Sequence, residues 1–226
     1  TKTVLCSKLK KGKYTIPSTI KTIGAYSFAN SRLDSIFISN SVTEIDPGAF
    51  NCSLIKYVDI PSSVTSIGYN AFSFCLELKS IRIPASVKNI GSVAFASKSD
   101  CKLIKITCLN RIPPILGESV FSYVDKIKCV LYVPSGAKSA YQVTDQWKDF
   151  INIVEMPNQA PTSNAGADQT VNENSLVTLD GSASSYADGQ TITYNWIAPE
   201  GITLSSTSSA KPTFIAPEVN VDTKFS

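Results

Sequence analysis

One line of sequence recurs along the first half of this chain, and its spacing dictates the architecture. Ile16-Pro17-Ser18-Thr19-Ile20-Lys21-Thr22-Ile23-Gly24 returns as Ile60-Pro61-Ser62-Ser63-Val64-Thr65-Ser66-Ile67-Gly68 and as Ile83-Pro84-Ala85-Ser86-Val87-Lys88-Asn89-Ile90-Gly91. A degenerate copy, Ile38-Ser39-Asn40-Ser41-Val42-Thr43-Glu44-Ile45-Asp46, sits between the first two. Each copy runs on to a small residue and a phenylalanine: Ser27-Phe28, Ala49-Phe50, Ala71-Phe72, Ala94-Phe95. The phenylalanines are 22, 22 and 23 residues apart, and a looser copy follows 26 residues on at Phe121. A unit of this length is one supersecondary turn that cannot bury its apolar face alone, so neighbours stack and share one core. The sets Leu33/Ile36/Ile38, Ile55/Val58/Ile60, Leu78/Ile81/Ile83 and Leu103/Ile106/Cys108, of which the second and third run directly into a proline, predict a strand with one face inward. The proline then stops strand pairing. The stretch from glycine to phenylalanine predicts one or two helical turns, with the phenylalanine in the core.

The pattern resembles the BspA-like leucine-rich repeats of bacterial surface proteins over roughly residues 3–156. The resemblance includes the opening Gly12-Lys13-Tyr14-Thr15-Ile16-Pro17 and a closing signature, Leu131-Tyr132-Val133-Pro134-Ser135-Gly136, then Tyr141, Trp147 and Phe150-Ile151-Asn152-Ile153. It implies a leucine-rich-repeat β/α solenoid of parallel strands and short helical turns over residues 1–156, with a C-terminal cap covering the last open core. The copy at Leu109–Phe121 carries Ile112-Pro113-Pro114 in place of the usual run, which leaves its register open.

Met156-Pro157-Asn158-Gln159-Ala160-Pro161 reads as a linker, and the period ends there. Val171, Leu176-Val177-Thr178-Leu179 and Ile192-Thr193-Tyr194-Asn195-Trp196 predict short strands, with turns at Asp180-Gly181-Ser182 and Asp188-Gly189. The line Ala165-Gly166-Ala167-Asp168-Gln169-Thr170-Val171, Tyr194-Asn195-Trp196 and Pro212-Thr213-Phe214-Ile215-Ala216-Pro217 are similar to polycystic-kidney-disease-type (PKD) domains. That resemblance implies an all-β immunoglobulin-like sandwich over residues 157–226, with Trp196 as its buried core tryptophan. The family's last strands are expected after Val221-Asp222-Thr223-Lys224-Phe225-Ser226, so the module and the chain read as parts of something longer.

Charge changes sign at the same place. Residues 1–156 hold 19 Lys/Arg and 11 Asp/Glu, and residues 157–226 hold 2 and 7, as two modules would. The positive half favours acidic partners or simply keeps the solenoid soluble. There is no histidine, no Gly-x-Ser-x-Gly elbow and no phosphate loop, so imidazole-based catalysis and the usual metal clusters fall away. No enzyme activity, cofactor, metal or nucleic-acid partner is expected. No signal peptide is visible and no apolar run is long enough to cross a membrane. The six cysteines all precede residue 130. They read either as small buried hydrophobes or as a disulfide between Cys101 or Cys108 and Cys129, which an extracellular setting would permit. A calcium site near Asp180 or Asp188 competes with plain turn chemistry, and Tyr186 stands where the PKD pattern often has aspartate.

Strand register gives the functional candidates. If Ile36 and Ile38 point inward, Ser35, Phe37 and Ser39 point out. The same rule exposes Tyr57 and Asp59, Ser80 and Arg82, Lys105 and Thr107, Val130 and Tyr132. Stacking sets these side chains in columns about 4.8 Å apart, with Asp59 beside Arg82. Phe37, Tyr57, Asp59, Arg82, Lys105 and Tyr132 are the candidate binding residues. The resemblance implies a protein-interaction or adhesion module of a secreted or cell-surface bacterial protein, engaging host or matrix components. The alternative is a glycan-binding or scaffold module of a carbohydrate-handling surface protein.

Overall fold

The structure is a computed structural model, and it describes residues 3–4, 11–158, 160–186 and 192–224. Cys6, Gln159, Asp188, Gly189 and Phe225 lie outside the described residues. The chain forms two compact units, Thr1–Asn158 and Gln159–Ser226.

The first unit is a β-solenoid. Its longer strands are β2 (Lys11–Thr15), β4 (Arg32–Phe37), β6 (Tyr57–Asp59), β8 (Ser80–Ile83), β10 (Lys105–Cys108), β12 (Val130–Val133) and β13 (Asn152–Glu155). They form one parallel seven-stranded sheet in the order β13-β12-β10-β8-β6-β4-β2. Between them come two-residue strands β1 (Thr3–Val4), β3 (Thr22–Ile23), β5 (Glu44–Ile45), β7 (Ser66–Ile67), β9 (Asn89–Ile90) and β11 (Ile115–Leu116). These make a second parallel sheet, β1-β3-β5-β7-β9-β11. The Ile-Pro-x-x-Val line is the corner joining the two sheets. The proline carbonyl accepts the N–H three residues on, Val64 to Pro61 and Val87 to Pro84 at 3.1 Å, which closes a β-turn.

The expected helical turns are absent. From glycine to phenylalanine each coil makes a single β-turn, such as Ala71 N to Gly68 O at 3.3 Å. The phenylalanine amide then donates across to the next coil: Phe28 to Ala49, Phe50 to Ala71 and Phe72 to Ala94, each at 2.8 Å. A residue in the left-handed region sits inside each of these turns: Tyr26, Gly48, Asn70, Val93 and Ser119. That conformation stops a right-handed helix at once. The lone described α-helix, α1 (Lys138–Val143), belongs to the cap.

The glycine of the Ile-Gly step has a packing reason. A Cβ at Gly91 would lie 2.4 Å from the backbone nitrogen of Tyr69 in the preceding coil, so bare backbone is what lets the coils approach. Inside, Phe28, Phe50, Phe72, Phe95 and Phe121 stack with ring centroids 4.9 to 5.8 Å apart and planes within 11°. Tyr14 tilts onto one end of this ladder, and Trp147 and Phe150 close the other. Trp147 Nε1 donates to Pro114 O at 3.1 Å and Tyr141 Oη to Asn110 O at 2.8 Å. The irregular copy keeps its register: Ile115 and Leu116 pair with Asn89 and Ile90, with one extra residue in the corner before β11 and two more in the loop before β10.

The second unit carries one antiparallel pair, β14 (Leu176–Thr178) with β15 (Thr213–Ile215), and a bridge between Thr162 and Ser185. Further backbone bonds, Gly181 N to Ala210 O and Trp196 N to Thr207 O at 2.9 Å, extend the pairing. Among the described residues this is less than the expected sandwich of several strands, and the buried ones are Val177, Gly181, Pro212 and Ala216. Trp196 is accordingly half-buried rather than a sealed core residue. Its indole donates to Ser209 O at 2.8 Å, and its ring edge fills the space that a Cβ on Gly181 would need.

Candidate binding face of the long sheet

The open face of the seven-stranded sheet holds two straight rows of side chains. Strand pairing sets one row as Lys13, Ser35, Tyr57, Ser80, Lys105, Val130 and Asn152. The other is Thr15, Phe37, Asp59, Arg82, Thr107, Tyr132 and Val154. All six candidate residues lie in these rows. Phe37 is 66% exposed and Tyr57 54%, Asp59, Arg82 and Lys105 are exposed, and Tyr132 is half-exposed. The apolar residues between them, Ile36, Val58, Ile81, Ile106 and Leu131, are buried on the opposite side, as the alternation of a strand requires.

Two contacts order this surface. Arg82 Nε lies 3.7 Å from Asp59 Oδ1, with both side chains well exposed, a pair worth little to stability. Lys105 Nζ stands 4.9 Å above the Tyr132 ring, within cation–π range. Ser35, Ser80 and Thr107 lie among longer neighbours, and the result is an open depression of about 450 Å³ between Tyr57, Asp59, Arg82 and Lys105. Thr107 is a correction to the register reading. It points outward but is only 9% exposed, because Arg82 and Tyr132 flank it in its row.

The rows also hold Lys13 and Thr15 at one end and Asn152 and Val154 at the other, four positions outside the repeat copies that define the candidates. The signal was present, since Tyr14 and Ile16 match Ile36 and Ile38 of the repeat. Exposed aromatics also occur away from this face, at Tyr26, Tyr69 and Tyr123. Tyr26 lies across Gly48, where it occupies the space of a missing Cβ.

The other candidates resolve into structural roles. Among the described residues all five cysteines are free thiols. Burial pushes the Cys75 and Cys129 thiols up to about 12 and Cys108 up to about 11, which keeps them protonated and unreactive. Cys75 Sγ is 3.3 Å from Ser53 Oγ and donates to Phe50 O at 3.1 Å. Asp180 is engaged as a turn residue: Oδ1 accepts from Ser182 N at 3.0 Å and Oδ2 from Lys211 Nζ at 2.6 Å. The Lys211 ammonium and the Ser182 donors hold its carboxyl down at about 2. Asp188 lies outside the described residues. No described helix is long and apolar enough to cross a membrane.

Both parts of the chain match known families. Residues 5–128 match the BspA type leucine rich repeat region in six copies, and residues 165–223 match the K319L-like PKD domain. Both are non-catalytic domain types, typical of bacterial surface or secreted proteins. A leucine-rich repeat protein from Eubacterium ventriosum is 37% identical, with a TM-score of 0.36, over 42% of this chain and 26% of its own. A leucine rich cell surface protein from Faecalibacterium prausnitzii is 22% identical, with a TM-score of 0.34, over 54% of this chain and 40% of its own. Chitinase A of Pseudoalteromonas piscicida is 32% identical over 77 residues, which is 34% of this chain and 9% of the chitinase.

Proposed function

Because this chain belongs to the BspA-type leucine-rich-repeat family, we propose that it is the protein-interaction portion of an extracellular or cell-surface bacterial protein. Its open sheet face is the contact surface, and host or matrix components are the partners. The observation that carries this reading is the pair of exposed aromatics, Phe37 and Tyr57, on adjacent strands of a rigid sheet. Exposed aromatic side chains on an ordered scaffold cost little entropy to bury and serve as anchors. The second unit acts as a spacer. Replacing Phe37, Tyr57 and Tyr132 together by serine leaves the core untouched, so the variant folds. It should lose capture of surface or matrix proteins that the unaltered chain retains. Equal capture by a folded triple variant would refute the proposal.

A second reading concerns glycans. The second unit has a depression of about 360 Å³ lined by Tyr186, Tyr194 and Trp196 with Asn164, Ser184 and Thr193. Aromatic faces beside amides and hydroxyls suit sugar rings, and a chitinase is among the proteins that share a stretch of sequence with this chain. Retention on chitin that is lost in Trp196→Ala would support this reading. Passage through chitin without retention would dismiss it.

A further inference from the structure

The two rows of the sheet face differ in chemistry, and one has a regular spacing. Lys13, Ser35, Tyr57, Ser80 and Lys105 stand on β2, β4, β6, β8 and β10, each paired straight across to the next. The order is therefore cation, hydroxyl, aromatic, hydroxyl, cation. Strands in a sheet lie about 4.8 Å apart, so Tyr57 is about 10 Å from each lysine position and the lysines about 19 Å from each other. The register pairs run from Lys13 to Lys105 without a shift between these five positions, so the row crosses the sheet one strand per step. The one carboxylate in the two rows, Asp59, is already held by Arg82, so no carboxylate of the rows neutralises Lys13 or Lys105, the latter resting on the Tyr132 ring.

Resting on the interaction reading above, we propose that this row receives an acidic polyproline-II segment of a partner protein. Such a segment lies along the solenoid axis, with carboxylates at positions i and i+6 and a proline at i+3. A polyproline-II chain rises about 3.1 Å per residue with three residues per turn, so side chains on one face recur every ~9.3 Å. That repeat meets the ~10 Å step of the row over its whole length. An extended strand presents one face every ~6.7 Å and falls out of step by the second contact. An α-helix presents i and i+7 at ~10.5 Å, but its backbone is internally bonded. A polyproline-II backbone has no internal hydrogen bonds, so it has carbonyls to offer the Ser35 and Ser80 hydroxyls between the anchors. Those hydroxyls have no partner among the described residues. The ring at the centre takes the proline, as aromatic grooves do elsewhere, while Phe37 on the neighbouring row widens the contact.

The test uses the whole chain and two fluorescent peptides of one composition. Peptide one carries aspartates at positions 1 and 7 around a proline at position 4. Peptide two carries the aspartates at positions 1 and 5. By anisotropy, peptide one should bind at least about fivefold more tightly. Tyr57→Ser should weaken it about tenfold or more, and Lys13→Gln or Lys105→Gln about threefold each. Salt that shortens the Debye length to about 3 Å should weaken it further. Equal binding of the two peptides, or binding indifferent to Tyr57→Ser, overturns the proposal. So does retention of heparin with the same mutational losses and no peptide binding, because the occupant is then an acidic glycan. If neither peptide binds while the serine triple variant still loses its captured protein, this proposal fails and the interaction reading stands.

Discussion

The Phe121 ring stands on Phe95 with centroids 5.8 Å apart and planes 7° apart. This contact carries the core across the copy whose sequence departs most from the repeat. The ladder, and not the letter of the repeat, sets the register there. Removing a rung should therefore be felt along the stack. Phe72→Ala should cost about 3–5 kcal/mol, read as a lower urea midpoint. Tyr57→Ser on the exposed face should stay within about 0.5 kcal/mol.

The left-handed turn positions make a prediction of opposite sign. Val93 holds φ +52°, an unfavourable conformation for a β-branched residue. Asn70, at the same place one coil earlier, holds φ +59° and tolerates it. Val93→Asn should stabilise the protein by about 1 kcal/mol, and Asn70→Val should destabilise it by a similar amount. Thermal melts of the two variants check both signs.

Gln146 closes the last coil with its side chain. Its Oε1 accepts from Val120 N and its Nε2 donates to Gly117 O, each at 2.7 Å. In earlier coils those two groups bond to each other, as Ala71 N does to Gly68 O. Gln146→Ala should leave both in want of a partner, at a cost of about 1–3 kcal/mol. Hydrogen exchange at Val120 should rise with it.

The thiols predict both reactivity and a pH limit. Cys75, Cys108 and Cys129 are buried and their pKa values raised, so a thiol reagent at neutral pH should modify them only after denaturation. A raised pKa means that the folded state favours the neutral thiol. Its contribution is full below the ordinary value of 9.0 and is lost as pH rises toward 11 to 12. Urea stability should fall across that alkaline window. Asp180 has the opposite sign: its folded value of about 2 lies below the ordinary 3.8. The second unit should therefore lose that contribution only as pH falls from about 4 toward 2, and Lys211→Ala should shift the NMR titration of Asp180 upward.

Much of the solenoid was legible because its constraints are periodic. The Phe28-to-Phe121 series gave the stack, and alternation in Leu33/Ile36/Ile38 gave the inward face and hence the outward rows. What sequence did not show depends on geometry between coils. The helical turns expected before each phenylalanine give way because Phe50 or Phe72 finds its acceptor one coil away, a partner that sequence separation hides. Thr107 obeyed the alternation and was still covered, because burial on a sheet face depends on the size of neighbours such as Arg82 and Tyr132. Trp196 matches its family's tryptophan, yet it is half-buried, because the described residues of the small second unit place few side chains around it.

The interaction face itself is tested most directly by photo-crosslinking from Ser80, which lies in the depression among Tyr57, Arg82 and Lys105. A photoreactive residue there, or at exposed Thr65 beside β7 as the control, is incubated with surface and matrix proteins and irradiated. The account predicts protein adducts from position 80 and few from position 65, with the adducts abolished by Tyr57→Ser. Equal labelling from both positions, or adducts from position 65 alone, would contradict it.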